Sequence, residues 1–359
     1  GMYVSFNDGA SWSPFQMNLP IVPITDLAIK DDNLIVATQG RSLWIIDDLT
    51  VLHQLDESKK NQNTILFKPR DSYRTKGRAS KKPSKTSGQN LENGVITHFL
   101  LKNYTEKDTV QLTYTSMAGD TLANYNSSAK KKDKKLEVKK GGNTFVWDTR
   151  GKGAEKLEGM IFWWASFDGA KAVPGNYKVH LNINGSTSSE TFTILPDPRA
   201  ESSVAEMQNQ FDFITDINTT IEKAHQSIKK IRNVTEQLNA FTEQYKDDER
   251  TKDLVEKAKA MKDKLGEVEK ALYQTQNRSG QDPLNFPIKV TNKLGHLNSL
   301  VSIDDFPPTE QDIAVKNELT TKINKELKIF DDVISSELLE FNAAFNTLEL
   351  NYLFIDDSK

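Results

Sequence analysis

The stretch Ser5-Phe6-Asn7-Asp8-Gly9-Ala10-Ser11-Trp12 (SFNDGASW) decides how the first part of this chain folds. Asp-Gly between the strand-like MYVSF and the run to Trp12 is a strong hairpin signal. A side-chain oxygen on Asn7 can accept backbone N–H groups across the turn. Gly9 supplies the positive φ that such a turn needs, and Trp12 can cover the hairpin. These residue types build a turn. None of them has a partner that would make it catalytic.

Outward from this hairpin, TDLAI, NLIVAT and SLWIID follow as further short strands, separated by the turn material KDD and QGR. Four or five strands within residues 1–58 predict about one blade of a propeller with a little of its neighbour. Such a remnant must bury its faces on neighbours or leave edges exposed. Residues 59–93 are rich in Lys, Ser, Gly and Pro, with only Ile65, Leu66, Phe67 and Tyr73 as anchors, and predict a mobile linker. From Gly94 the period-2 pattern returns in VITHFLLK, TVQLTYTS, NTFVWDT, GMIFWWASF, NYKVHLNIN and SETFTILP, which predicts a β-sandwich over 94–197. Within GMIFWWASF, Trp163 and Trp164 are candidates for ligand binding. As neighbours on a strand they would face opposite sides, one in the core and one at an interdomain seam or against a sugar.

Pro198 closes the β region. Ser203-x-x-Glu206 is a capping box. Apolar residues from Val204 to Phe241 recur mostly every three or four positions, and Leu254, Ala258, Met261, Leu265, Val268 and Leu272 follow a strict 4-3-4-3-4 spacing. A short helix through Leu294, Leu297 and Leu300 comes next. Thr309-x-x-Asp312 then opens a last helix, from Leu319 to Leu348. Residues 198–359 thus predict an antiparallel helical bundle.

The fold class is therefore multidomain β plus α. Net charge is −3 over 359 residues. It splits into about +6 before residue 200 and −9 after it, as separate modules do. No stretch approaches the roughly 20 apolar residues of a membrane helix. There is no cysteine, so thiolate chemistry and disulfides are excluded. The five histidines are scattered; Glu222 and His225 come nearest to a metal-ligand spacing and read as a helix-surface pair, so no metal, cofactor or catalytic residue is assigned. The lysine-heavy AKKKDKKLEVKKGG (129–142) reads as a solvated hairpin tip, with anionic-polymer binding as the alternative. Sparse aromatics beside the basic linker argue against nucleic acid. Gly1-Met2 reads as a tag-removal scar on a piece of a longer protein.

Ser5-x-Asn7-x-Gly9-x-x-Trp12 resembles the Asp-box (BNR) repeat, with Asn in the Asp place. Ala37–Asp48 resembles the closing strands of sortilin-like, BNR-repeat propellers. Val173–Val179 resembles the turn and strand of immunoglobulin-like accessory domains that follow such propellers. Gly142–Arg150 and Gly159–Trp164 fit that pattern, and the stretches at 197–199, 284–297 and 307–311 are similar to the family's helical tail. The resemblance implies a partial propeller blade, an immunoglobulin-like sandwich and a helical tail, belonging to the C-terminal region of a glycosyl hydrolase-like protein outside the cytoplasm. It implies a structural Asp box, with the remaining blades as partner. A non-catalytic accessory or interaction role follows. The alternative is a carbohydrate-binding module, or part of a glycoside hydrolase whose centre lies in other blades.

Overall fold

The computed structural model describes residues 1–55, 59, 61–75 and 91–348. They form a mixed β and α chain with a helical C-terminal region, in two compact units. The first unit comprises residues 1–149 and 174–197; the second comprises 150–173 and the chain from Pro198 onward.

The first unit opens with the paired strands β1 (Tyr3–Val4) and β2 (Ser13–Pro14). A meander of β3 (Ile24–Lys30), β4 (Asn33–Thr38) and β5 (Leu43–Ile46) follows. Asp31 and Asp32, at φ +50° and +59°, make the two-residue turn between β3 and β4, the geometry that matches strand twist. Val36, Met2 and Leu19 are buried here, with Phe15, Ile24, Leu34, Trp44 and Ile46 packed on them. Leu27 and Ile29 on β3 and Leu43 and Ile45 on β5 are exposed. Cross-strand register puts Ile45 beside Ile35 and Leu43 beside Ala37, on the face opposite Val36 and Trp44. This sheet thus carries apolar residues on both faces and covers only part of them.

The rest of the unit is a five-stranded and a three-stranded sheet. The first has the order β10 (Thr121–Asn126), β9 (Val110–Ser116), β12 (Gly175–Ile183), β13 (Ser186–Pro196) and β7 (Ser72–Arg74); the second has the order β11 (Gly141–Trp147), β8 (Val95–Leu101) and β6 (Thr64–Leu66). Alternation along β8, β9 and β12 sends Phe99, Leu112, Tyr114, Tyr177, Val179 and Leu181 inward. Trp147 of β11 stacks on Tyr114 of β9 at 4.6 Å, with Tyr177 and Phe192 edge-on to it. The buried Tyr114 hydroxyl is satisfied by Thr97 at 2.8 Å, and burial raises its pKa.

Two expectations change. Part of the expected linker belongs to the sheets: Ile65, Leu66 and Phe67 are buried where β6 pairs with β8, and β7 runs parallel to β13. Tyr73 is exposed and Arg74 is the buried residue of β7. Residues 60 and 76–90 of that stretch lie outside the described residues. The strand expected over GMIFWWASF is absent. Its residues take no place in either sheet and pack among the helices.

The second unit contains α1 (Val204–Tyr245), α2 (Lys252–Leu272), α3 (Val290–Val301), α4 (Glu310–Asp332) and α5 (Leu338–Thr347). Capping boxes at Ser203/Glu206 and Thr309/Asp312 start α1 and α4. One π-helical turn, Val333–Glu337, joins α4 to α5, so the last helix is continuous but locally unwound. All six α2 positions of the 4-3-4-3-4 pattern are buried. The Gln210 amide donates to the carbonyls of Val301, Asp304 and Phe306, closing the turn that follows α3. Met160, Phe162 and Phe167, from the excursion 150–173, complete the helical core.

Candidate ligand-contact site

At the Asp box the structure brings Ser5, Asn7, Gly9 and Trp12 together. Asn7 Oδ1 accepts the Ser11 N–H at 2.9 Å, and Ser5 Oγ accepts the Gly9 N–H at 2.8 Å. Gly9 sits at φ +85°, and the Trp12 indole donates to the Gly9 carbonyl at 3.1 Å. Every one of these bonds closes within residues 5–12. The box satisfies itself and offers no converging group to a ligand.

Trp163 and Trp164 are placed differently. The excursion 150–173 returns on itself, with Gly151 N–H bonded to Ala170 O at 2.8 Å and Ala154 N–H to Phe167 O at 2.9 Å. A Cβ on Gly153 would lie 2.1 Å from Phe167 O, and one on Gly169 would lie 2.0 Å from Gly151 O; only glycine allows this closeness.

Beyond that neck the backbone finds its partners on helix side chains. The Tyr273 hydroxyl accepts the Ile161 N–H at 2.8 Å. Asn292 accepts the Trp163 N–H and donates to the Trp163 carbonyl, both at 2.8 Å. The Trp164 carbonyl accepts from His296 Nδ1 and Ser299 Oγ, each at 3.0 Å. Ser166 N–H reaches Gly295 O at 2.9 Å, and the Asp168 carbonyl accepts from Asn218 and Asn298. A buried backbone must be paired, and here side chains replace the missing neighbour strand.

The consequence is an aromatic ledge. Trp164 has φ +49° and is 73% exposed. A bulky residue in that region costs roughly 1–2 kcal/mol, so the surrounding bonds hold a conformation the chain would not adopt alone. The two indoles lie nearly parallel, 16° apart with centroids at 5.8 Å. The His296 ring lies 26° from the plane of Trp164 at 6.4 Å. Both rings are thus stacked against Trp164. Alternation along a strand would have separated the indoles; the loop brings them together.

His225 is fully buried, contrary to the expectation of a helix-surface pair with Glu222. Its Nδ1 bonds to the Glu155 carbonyl at 2.6 Å, and Glu222 accepts the Glu155 N–H at 2.6 Å. Phe162 and Phe167 flank the ring. Burial holds its pKa below the ordinary value, which leaves it neutral at pH 7. The pair anchors the excursion. Among the described residues no group of three His, Asp or Glu side chains is arranged to hold a metal ion.

In the first unit a cavity of about 740 Å³ is walled by Phe15, Ile46, Leu52, Ile96 and Val146. His98 lies on its wall, with Nδ1 bonded to Thr144 Oγ1 at 2.9 Å and Nε2 3.8 Å from Asp48. Burial lowers the His98 pKa. In the lysine-heavy stretch, Leu136 is buried, Lys135 pairs with Glu137 and Lys134 lies over the Tyr125 ring. It is a partly anchored loop. No helix among the described residues is long and apolar enough to cross a membrane.

No family model and no curated protein matches the chain. Among solved structures, one named pT26-6p is similar at 10% identity over 71% of this chain and 46% of that one, with a TM-score of 0.12. The chain thus spans less than half of that protein, and a score so low carries no argument about fold or function.

Proposed function

We propose that this chain is a non-catalytic accessory and interaction region of a larger, sortilin-like BNR-repeat propeller protein outside the cytoplasm. In this reading residues 1–55 belong to a propeller blade, and the sheets of the first unit form an immunoglobulin-like sandwich. The observation that carries it is the β3–β5 meander. Leu43 and Ile45 are 67% and 58% exposed on one face, while the other face is only partly covered. A twisted sheet with apolar residues on both faces is suited to stacking between other sheets, as blades do. The self-satisfied Asp box supports the same reading, because it strengthens a hairpin and engages nothing else.

Two measurements test it. Chromogenic glycosides incubated with this chain are expected to show no turnover; turnover abolished by substituting a residue of this chain would overturn the non-catalytic assignment. A hydrophobic dye such as ANS reports uncovered apolar surface. The double variant Leu43→Lys/Ile45→Lys is expected to lose most of the dye signal while keeping its melting temperature. An unchanged signal would remove the docking role of this sheet.

A further inference from the structure

We propose that the cavity of the first unit binds a small organic amine, with the ammonium at Asp48 and the apolar body on the cavity wall. The site lies wholly within the first unit and does not rest on the propeller reading. Three features carry it.

The first is size and lining. The cavity holds about 740 Å³, within the roughly 300–1,000 Å³ that small-molecule sites occupy. Phe15, Ile46, Leu52, Ile96 and Val146 give it an apolar wall. Ile96 pairs with Val146 across β8 and β11, and His98 pairs with Thr144 beside them. Alternation turns these four away from the core that Val95, Phe99 and Trp147 fill. The sheet thus presents an apolar row and a polar row side by side.

The second is charge. Among the described residues, Asp47, Asp48, Asp71 and Glu92 line the cavity against the single guanidinium of Arg70. That guanidinium is already committed: it donates to the carbonyls of Asp31 at 2.7 Å and Asp47 at 2.9 Å, and to Asn33 Oδ1 at 3.2 Å. Among the described residues none of the four carboxylates forms an ion pair with a lysine or arginine. The cavity therefore favours a cation over an anion of the same shape.

The third is a carboxylate oxygen fixed in place with nothing bonded to it. Asp48 Oδ1 accepts the Thr50 N–H at 2.9 Å and the Thr50 hydroxyl at 2.6 Å, which orients the side chain. Oδ2 accepts no hydrogen bond among the described residues and lies 3.8 Å from His98 Nε2, with the Asp48 side chain only 18% exposed. Burial holds the His98 pKa below its ordinary value, so at pH 7 this ring adds no positive charge. A carboxylate so shielded from water gains from a paired cation. An ammonium supplies both the charge and the N–H donors.

The test is calorimetry on the whole chain at low salt with three probes that share one ring system: naphthylmethylammonium, naphthalenemethanol and naphthoate. The ammonium should bind at least about tenfold more tightly than the naphthoate. Asp48→Asn keeps the Oδ1 acceptor for Thr50 and should lower the ammonium's affinity to about that of the alcohol, with alcohol binding and the melting temperature maintained. Ile96→Trp fills the cavity and should remove binding of all three. Equal affinity for the three probes, ammonium binding untouched by either variant, or no ammonium binding at all would overturn the assignment. Replacing the basic residues of 76–90 by serine should leave ammonium binding in place. Binding seen only in that variant would make the chain's own cations the occupant, and would overturn it too. Leu43 and Ile45 are not on this cavity's wall, so the dye experiment on them and the amine titration succeed or fail separately.

Discussion

The Asn292 carboxamide pairs with both the N–H and the C=O of Trp163, each at 2.8 Å, as a neighbouring strand would. Asn292 is buried on α3. Asn292→Ala removes both bonds at once and strands two backbone groups, with an expected loss of about 1–3 kcal/mol. Urea unfolding would measure the loss. Acrylamide quenching should rise as the indoles loosen.

Two helix glycines should respond with opposite signs. A Cβ on Gly295 would lie 2.9 Å from both the Ala165 Cβ and the Phe167 ring, whereas one on Gly266 of α2 would meet nothing within 4 Å. Gly→Ala in a helix gains about 0.8–1 kcal/mol from propensity, and overpacking costs about 1–3 kcal/mol. Gly266→Ala is therefore expected to stabilise by nearly the full propensity gain. Gly295→Ala should destabilise. Melting curves of the two variants check both signs.

Acid should weaken the second unit through His225. Burial depresses its pKa in the folded state, so near pH 6 the unfolded chain binds more protons than the folded one. Stability is then fully present above the ordinary histidine pKa of about 6.5 and falls as pH drops through and below it. His98 and His180, also depressed by burial, act with the same sign. Urea midpoints from pH 8 to pH 5 should decline. His225→Gln should flatten part of that decline, and an unchanged slope would assign it to the other two.

The Asp box should act locally. Asn7→Ala removes the acceptor of the Ser11 N–H and the donor to Ser11 Oγ. These groups are exposed, so a loss of about 0.5 kcal/mol or less is expected. Hydrogen exchange should speed at Ser11, with no change at the ledge. Asn7→Asp keeps the acceptor and should exchange nearly as the parent does.

Local patterns made much of the architecture legible. The spacing from Leu254 to Leu272 and both capping boxes are short-range signals, and each appears in place. Residues 64–66 and 72–74 were hidden because their partners lie on strands far along the chain, and their lysine-rich surroundings looked like linker. TLANYN was missed as β10 for lack of apolar alternation. GMIFWWASF has the composition of a strand, and its partners, Tyr273, Asn292, His296 and Ser299, are more than 100 positions away. Glycines at 151, 153, 159 and 169 around it were the available clue, since a strand edge has no need of four.

The excursion also sets a problem of timing. A ribosome releases residues 150–173 before any helix of the bundle exists. The side chain that joins Asn298 to Asp168 is made 130 residues later, which at about 5–20 residues per second is roughly 7–26 s. During that interval β12 and β13 can pair with β9 and close their sheet, while Phe162, Trp163, Trp164 and Phe167 wait uncovered. The nascent chain thus lacks the last partners of this aromatic loop until α3 arrives, and that interval is when a chaperone would find it.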